Sequence, residues 1–170
     1  MHAGQKVFCE SVKSLFPQSF KGKRVLDCGS LDINGNNRYL FDGCEVIGID
    51  IGKGPNVDMV SRIHNFKSAK PFDTVISTEC FEHDEFYAYS IENIVCHLLR
   101  PGGLFLFTCA TTGRGEHGTV KKGPKDSPFT TSYYKNLTAS DIPCLHLFQR
   151  CYFQVNLDHC DLYFWGFKLP

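Results

Sequence analysis

Four short apolar runs crowd the first half of the chain, 24–28, 44–50, 56–60 and 72–78, and they constrain its fold more than any other feature. Each is rich in β-branched residues and is bounded by Gly, Pro, Asn or Asp, as buried strands of an α/β sheet are. Between 84 and 100, Tyr87, Ile91, Ile94, Val95 and Leu98 recur at helical spacing. Pro101-Gly102-Gly103 is read as the end of that helix, ahead of a fifth strand over 104–109. Strand, helix, strand in this order predicts an α/β domain.

A leading helix is expected within 1–20, because Val7, Phe8, Val12, Leu15 and Phe16 fall at helical spacing and Pro17 closes the segment. At the carboxyl end two aromatic-rich runs, 151–157 and 161–168, read as an antiparallel pair around Asp158-His159-Cys160. The stretch 111–141 is read as a lid segment. Its first part, 111–128, carries four glycines, two prolines and Lys121, Lys122 and Lys125, and is too long for a plain connection. A chain of 170 residues suits one domain with one site, so 1–170 is taken as a single unit.

Lys plus Arg and Asp plus Glu both number 18, which leaves no net field to hold a phosphate backbone and argues against general nucleic-acid binding. The nine cysteines form no C-x-x-C pair and read as free thiols of a reducing compartment. Cys144 with His146, and His159 with Cys160, lack a second pair at zinc spacing, so no metal site is expected. With no apolar run near the roughly 18 residues of a membrane span and no signal-peptide pattern, a cytoplasmic chain without a membrane partner is expected. Oligomeric state is not readable.

The run Val25-Leu26-Asp27 opens into Cys28-Gly29-Ser30-Leu31-Asp32-Ile33-Asn34-Gly35, a strand leading to a glycine-bearing turn. Nucleotides bind at such places in open α/β sheets. Asp50 closes the next run, where an ionised acid can accept hydrogen bonds from both hydroxyls of a ribose. As a dinucleotide fingerprint, however, the glycine positions would be Gly29, Leu31 and Asn34, and the second must lack a side chain for a pyrophosphate to approach. NAD and FAD fit poorly, and no P-loop sequence is present.

Four ordered segments, 25–41, Asp50, 72–83 and Leu99-Arg100-Pro101-Gly102-Gly103, together resemble class I S-adenosylmethionine-dependent methyltransferases. Within them Gly29-Ser30-Leu31-Asp32-Ile33-Asn34-Gly35 is similar to a glycine-loop variant of small bacterial and phage-type members. The resemblance implies an α/β, Rossmann-like doubly wound sheet of about seven strands, ordered 3-2-1-4-5-7-6 with strand 7 antiparallel and helices on both faces. It implies S-adenosylmethionine as cofactor, with S-adenosylhomocysteine as product. The methionine end would lie on Gly29, Ser30 and Leu31, with Asp32 beside them, and the ribose on Asp50. The adenine would meet Ile51, Ile63 and His64, near Arg62, which stands where many relatives have Asp. Thr78 and Glu79 would sit near the amino group and sulfur.

A hydroxyl or protonated amine acceptor needs a base, and Glu79, His83 and His117 are the candidates. His83 reads equally well as part of a helix cap, and His117 and Arg114 as solvated loop residues. No Asn-Pro-Pro-Tyr or Asp-Pro-Pro-Tyr run follows the fourth strand, which argues against an adenine amine as acceptor. A small-molecule acceptor is expected. A non-catalytic S-adenosylmethionine-binding partner protein is the alternative, and an NAD-dependent oxidoreductase is disfavoured by Leu31. The balanced charge predicts that duplex DNA or RNA binds no tighter than about 10⁻⁴ M at physiological salt. Fluorescence anisotropy checks this, and submicromolar, salt-sensitive binding would give the three loop lysines a role they are denied here.

Overall fold

The apolar runs become strands: β1 (Arg24–Cys28), β2 (Glu45–Asp50), β3 (Met59–Val60), β4 (Phe72–Thr78), β5 (Leu99–Ala110), β6 (Phe148–Asn156) and β7 (Asp161–Lys168). The structure, a computed structural model, describes residues 3–170; positions 1 and 2 of the expected leading helix lie outside the described residues. All seven strands form one sheet ordered 3-2-1-4-5-7-6. The first five pair in parallel, whereas β7 runs antiparallel between β5 and β6. This is the Rossmann-like, doubly wound arrangement.

Alternation along the strands sorts the core into two layers. Val25, Ile76, Leu104, Leu106, Tyr163 and Trp165 face α1 (Ala3–Leu15), which buries Phe8, Cys9 and Val12 against them, with Phe16 just beyond its end. Leu26, Val75, Phe105, Phe107 and Phe164 face the opposite way, toward α2 (Tyr87–Asn93) and the π-helical turn Ile94–Leu98 that continues it. Asp84 starts α2 by accepting from the Phe86 amide at 2.9 Å and the Ser90 hydroxyl at 2.5 Å. One helix to a face is enough. Only a 3-10 turn, Arg38–Leu40, fills the connection from β1 to β2. No helix among the described residues is long and apolar enough to cross a membrane.

Three details differ from the sequence reading. Val7 and Leu15 are exposed, and Gln5 is buried in their place. The buried stripe of α1 is centred on Val12, which puts Val7 on the far side and Leu15 at the edge. Pro101-Gly102-Gly103 does not separate helix from strand, because β5 already begins at Leu99. Phe72 pairs with Leu99 and Thr74 with Leu104, so the intervening residues bulge out of the ladder, with Gly102 at φ +69. The third strand shrinks to two residues because Asn56, at φ +65, leaves the extended conformation.

Phe164 lies fully buried among Phe153 at 4.8 Å, Phe107 at 5.1 Å and Phe148 at 5.4 Å between ring centroids. Phe164→Ala should cost about 3 to 5 kcal/mol in urea unfolding, whereas Val7→Ala, on the exposed side of α1, should stay within about 0.5 kcal/mol.

Candidate functional site

Register brings the polar strand ends together. Cys28 of β1 lies opposite Ile49 of β2 and Ser77 of β4, so Gly29, Asp50 and Thr78 follow at the same edge of the sheet. The strand order reverses here, since β1 has β2 on one side and β4 on the other, and such switch points leave a crevice. A cavity of about 780 Å³ opens there.

The turn after β1 forms the cavity floor. Gly29 and Ser30 both donate their amide hydrogens to the Ile49 carbonyl, at 2.9 and 3.1 Å, and the Leu31 amide donates to Asp50 Oδ2 at 3.3 Å. Gly29 sits at φ +74, and a Cβ there would meet Cys80 Sγ at 2.5 Å. Glycine is required on both counts. Gly52 donates to Asp50 Oδ1 at 3.2 Å, and burial raises the Asp50 carboxyl above its usual range. Asp27 is only 1% exposed. Its Oδ1 accepts from Asn37 Nδ2 at 2.9 Å, and the same nitrogen reaches Thr78 Oγ1 at 3.2 Å. Burial pushes the Asp27 pKa up to about 6. Asp27 Oδ2 and Ser30 Oγ are buried without hydrogen-bond partners, and both residues line the cavity.

Of the sequence-derived positions, Gly29, Ser30, Leu31, Asp50, Ile51, Ile63, Thr78, Glu79, His83 and His117 line the cavity, and so does Arg62. Asp32 and His64 do not. The Asp32 carboxylate instead fastens the turn, accepting from the Gly35 amide at 2.8 Å, Asn36 Nδ2 at 2.8 Å and Asn56 Nδ2 at 3.0 Å. His64 packs its ring on Phe86 at 4.7 Å. Asn93 of α2 ties down this region by donating to the Ile63 and Phe66 carbonyls at 2.8 and 2.9 Å. The chain also contains a Pro-Cys pair, Pro143-Cys144, and Cys144 lies outside the cavity lining.

Beyond β4, Glu79 stands on the wall, with Glu82 and Asp161 buried behind it. Glu79 turns at φ +52, accepts from Thr108 Oγ1 at 3.1 Å, and hydrogen-bonds Gln5 of α1. Burial and the nearby Asp161 charge lift its pKa to about 7. Glu82 is fully buried, with Oε1 on the Ala110 amide at 3.3 Å. Burial and the Glu79 charge drive its carboxyl well above the ordinary range. Arg114 Nη1 donates to the His159 carbonyl at 2.6 Å and to Asp161 Oδ1 at 3.3 Å, with Asp161 completely buried. Burial and the proximity of His117 lower the His83 pKa to about 4. Its ring meets His117 at 5.0 Å and Tyr134 at 5.5 Å.

The segment after β5 closes the rim with Arg114, Gly115, His117 and residues around Phe129. A Cβ on Gly52 would lie 2.0 Å from Phe129 Cε2, so the Phe129 ring rests on the Gly52 backbone across the mouth. Sequence reasoning assigned no role to Gln5, Glu82 or Asp161, and left Arg114 solvated. Gln5 was legible as a polar residue on the helix face of Phe8 and Cys9; Asp161 carries no local signal, because its partner lies in the distant loop.

No protein-family model matches the chain, and no curated protein matches it in sequence. Its fold does match solved structures. The N-methyltransferase NodS from Bradyrhizobium japonicum WM9, in complex with S-adenosyl-L-homocysteine, is 15% identical with a TM-score of 0.68, covering 99% of this chain and 89% of that one. The 1,6-didemethyltoxoflavin-N1-methyltransferase from Burkholderia thailandensis, with bound 1,6-didemethyltoxoflavin and S-adenosylhomocysteine, is 14% identical at TM-score 0.65, covering 99% and 79%. An S-adenosylmethionine-dependent methyltransferase from Clostridium acetobutylicum ATCC 824 is 12% identical at TM-score 0.63, covering 97% and 92%. At such identities the likeness is one of fold.

Asp27 gives a pH test. Its folded pKa of about 6 exceeds the unfolded value, so the carboxyl stabilises the fold below about pH 4 and loses that contribution as pH rises through 6. Asp27→Asn does not ionise. The stability of the variant relative to wild type should therefore rise by about 2 kcal/mol between pH 4 and pH 7 in urea unfolding without ligand; a constant difference would show that Asp27 is ionised throughout.

Proposed function

We propose that the chain is a class I methyltransferase of the small bacterial or phage type, using S-adenosylmethionine to methylate a small-molecule acceptor. The observation that carries this reading is the cavity at the β1, β2 and β4 ends, with the glycine turn and the Asp50 carboxylate on its floor. The methyltransferases that share the fold include two whose structures hold S-adenosylhomocysteine.

The residues suit that cofactor. The unpartnered Asp27 and Ser30 oxygens are acceptors for an ammonium group. The amide hydrogens of Gly29, Ser30 and Leu31 are already used within the fold, which leaves backbone carbonyls as what the turn offers to the same ammonium. Each Asp50 oxygen accepts one backbone amide and keeps a lone pair for a ribose hydroxyl. Ile51 and Ile63 supply apolar contacts for a base, while Asp32 and His64 support the walls from behind.

The sulfonium supplies a methyl group that is already activated, so the protein's work is alignment, desolvation and handling of a proton. Glu79, on the wall and near neutrality, is the residue we assign to accept that proton. His83 is held neutral at physiological pH and shapes the same wall. The 111–141 segment acts as the lid, with Phe129 on Gly52 as its closing contact.

Calorimetric titration with S-adenosylhomocysteine tests the reading. Wild type should bind, NAD should not, and Asp50→Ala should weaken binding about 10-fold to 150-fold through loss of charged acceptors worth roughly 1.5 to 3 kcal/mol. Asp50→Asn, which keeps one acceptor oxygen, should lose less. Failure of wild type to bind would end the cofactor assignment, and undiminished affinity in Asp50→Ala would remove Asp50 from the site.

A further inference from the structure

We propose that Glu82, His83 and His117 form a site for one divalent first-row metal cation at the edge of the cavity, with His83 and His117 on its wall and Glu82 buried behind them. Their ligand atoms lie within 4.8 Å of one another. Around a shared cation with bonds of about 2.0 to 2.2 Å, such atoms stand roughly 3 to 3.5 Å apart, so a modest turn of the half-exposed His117 side chain closes the set.

A further observation points to a cation. Glu82 is 0% exposed and His83 6% exposed, yet Glu82 Oε2 and His83 Nδ1 have no hydrogen-bond partner. Buried polar atoms of this kind cost free energy unless something satisfies them.

His117 Nδ1 lies 3.1 Å from the Gly115 carbonyl oxygen, which can only accept, and the tautomer that donates to it leaves the Nε2 lone pair for a metal. Two imidazoles and a carboxylate suit Mn²⁺, Fe²⁺, Co²⁺ or Zn²⁺ better than Ca²⁺. Spacing rules miss this set, because Glu82 and His83 are adjacent while His117 arrives from the loop after β5.

Three protein ligands leave coordination positions open, and His83 and His117 both line the cavity. A hydroxyl-bearing acceptor can bind there and be made more acidic by the cation. This assignment of an oxygen-bearing acceptor rests on the methyl-transfer reading; the metal site itself does not.

The test is Mn²⁺ titration of the chelator-treated full chain, followed by loss of the free-ion electron paramagnetic resonance signal. Mn²⁺ is the chosen probe because the nine cysteines, all free, would also attract softer ions. Wild type should take up one equivalent. His117→Ala, a loop change, and Glu82→Gln should each weaken uptake at least 10-fold, and His97→Ala, exposed and outside the cavity, should leave it intact. No stoichiometric uptake by wild type, or equal uptake by His117→Ala, overturns the site. If Glu82→Gln does not fold, His117→Ala decides alone. Calorimetry with S-adenosylhomocysteine on the same metal-free protein separates the two readings: binding of that ligand without Mn²⁺ uptake sinks only the metal site, and Mn²⁺ uptake without that ligand supports it while sinking the cofactor.

Discussion

The parallel pairing of β1 with β2 on one side and β4 on the other is the constraint on which the site depends. Parallel neighbours need crossovers, and crossovers return every strand in the same direction, so all the carboxyl ends emerge at one edge. The glycine turn, Asp50 and the Thr78-Glu79 corner therefore share a mouth although nearly fifty residues separate the first from the last. Little else in the chain is needed to bring them together. The long helices typical of doubly wound sheets are reduced here to one per face, yet the strand ends keep their register.

Electrostatics then divides that mouth into two halves. On the β1 and β2 side, acids are met by amides: Asp50 has the Leu31 and Gly52 N–H groups, and Asp27 has Asn37. On the β4 and β5 side, Glu79 takes Thr108 and Gln5, Glu82 takes the Ala110 amide and Asp161 takes Arg114, while burial and neighbouring charge raise the Glu79 and Glu82 carboxyls. Neither half is fully satisfied, since Asp27 Oδ2 on one side and Glu82 Oε2 on the other have no hydrogen-bond partner. Burial and neighbouring charge make Glu79 and Glu82 hold their protons more readily than exposed acids do.

The fold was legible to the extent that it was written in short-range patterns. The limits of β1, β4 and β7 agree with the apolar runs because glycine, proline and acids punctuate both ends. The start of β5 was not legible, since Pro101-Gly102-Gly103 breaks a helix and bulges a strand with the same residues, and only the pairing with β4 decides between them. Exposure of Val7 and Leu15 likewise depends on which side of α1 meets the sheet. In the site, residues attached to strand ends, such as Gly29, Asp50 and Thr78, could be placed from sequence. Asp32 and His64 are neighbours of such residues in sequence but point behind the wall. The Arg114 to Asp161 ion pair and the approach of His117 to Glu82 and His83 are meetings of distant segments, and no local pattern records them.

The Phe129 ring resting on Gly52 bears on kinetics more than on affinity. A single half-exposed aromatic contact with backbone is a weak fastening, of the order of 1 kcal/mol. If the proposed lid moves, a latch of that strength would stand open for a sizeable fraction of the time at room temperature, and arrival of a ligand would be governed by diffusion and orientation rather than by waiting for an opening. Departure is different. Once the floor and walls have gained a ligand, the ring can settle against it as well as against Gly52, and each added contact lengthens the stay without slowing the entry. On the lid reading, the same glycine that admits the ring would make residence time, not capture, the quantity that this edge of the cavity controls.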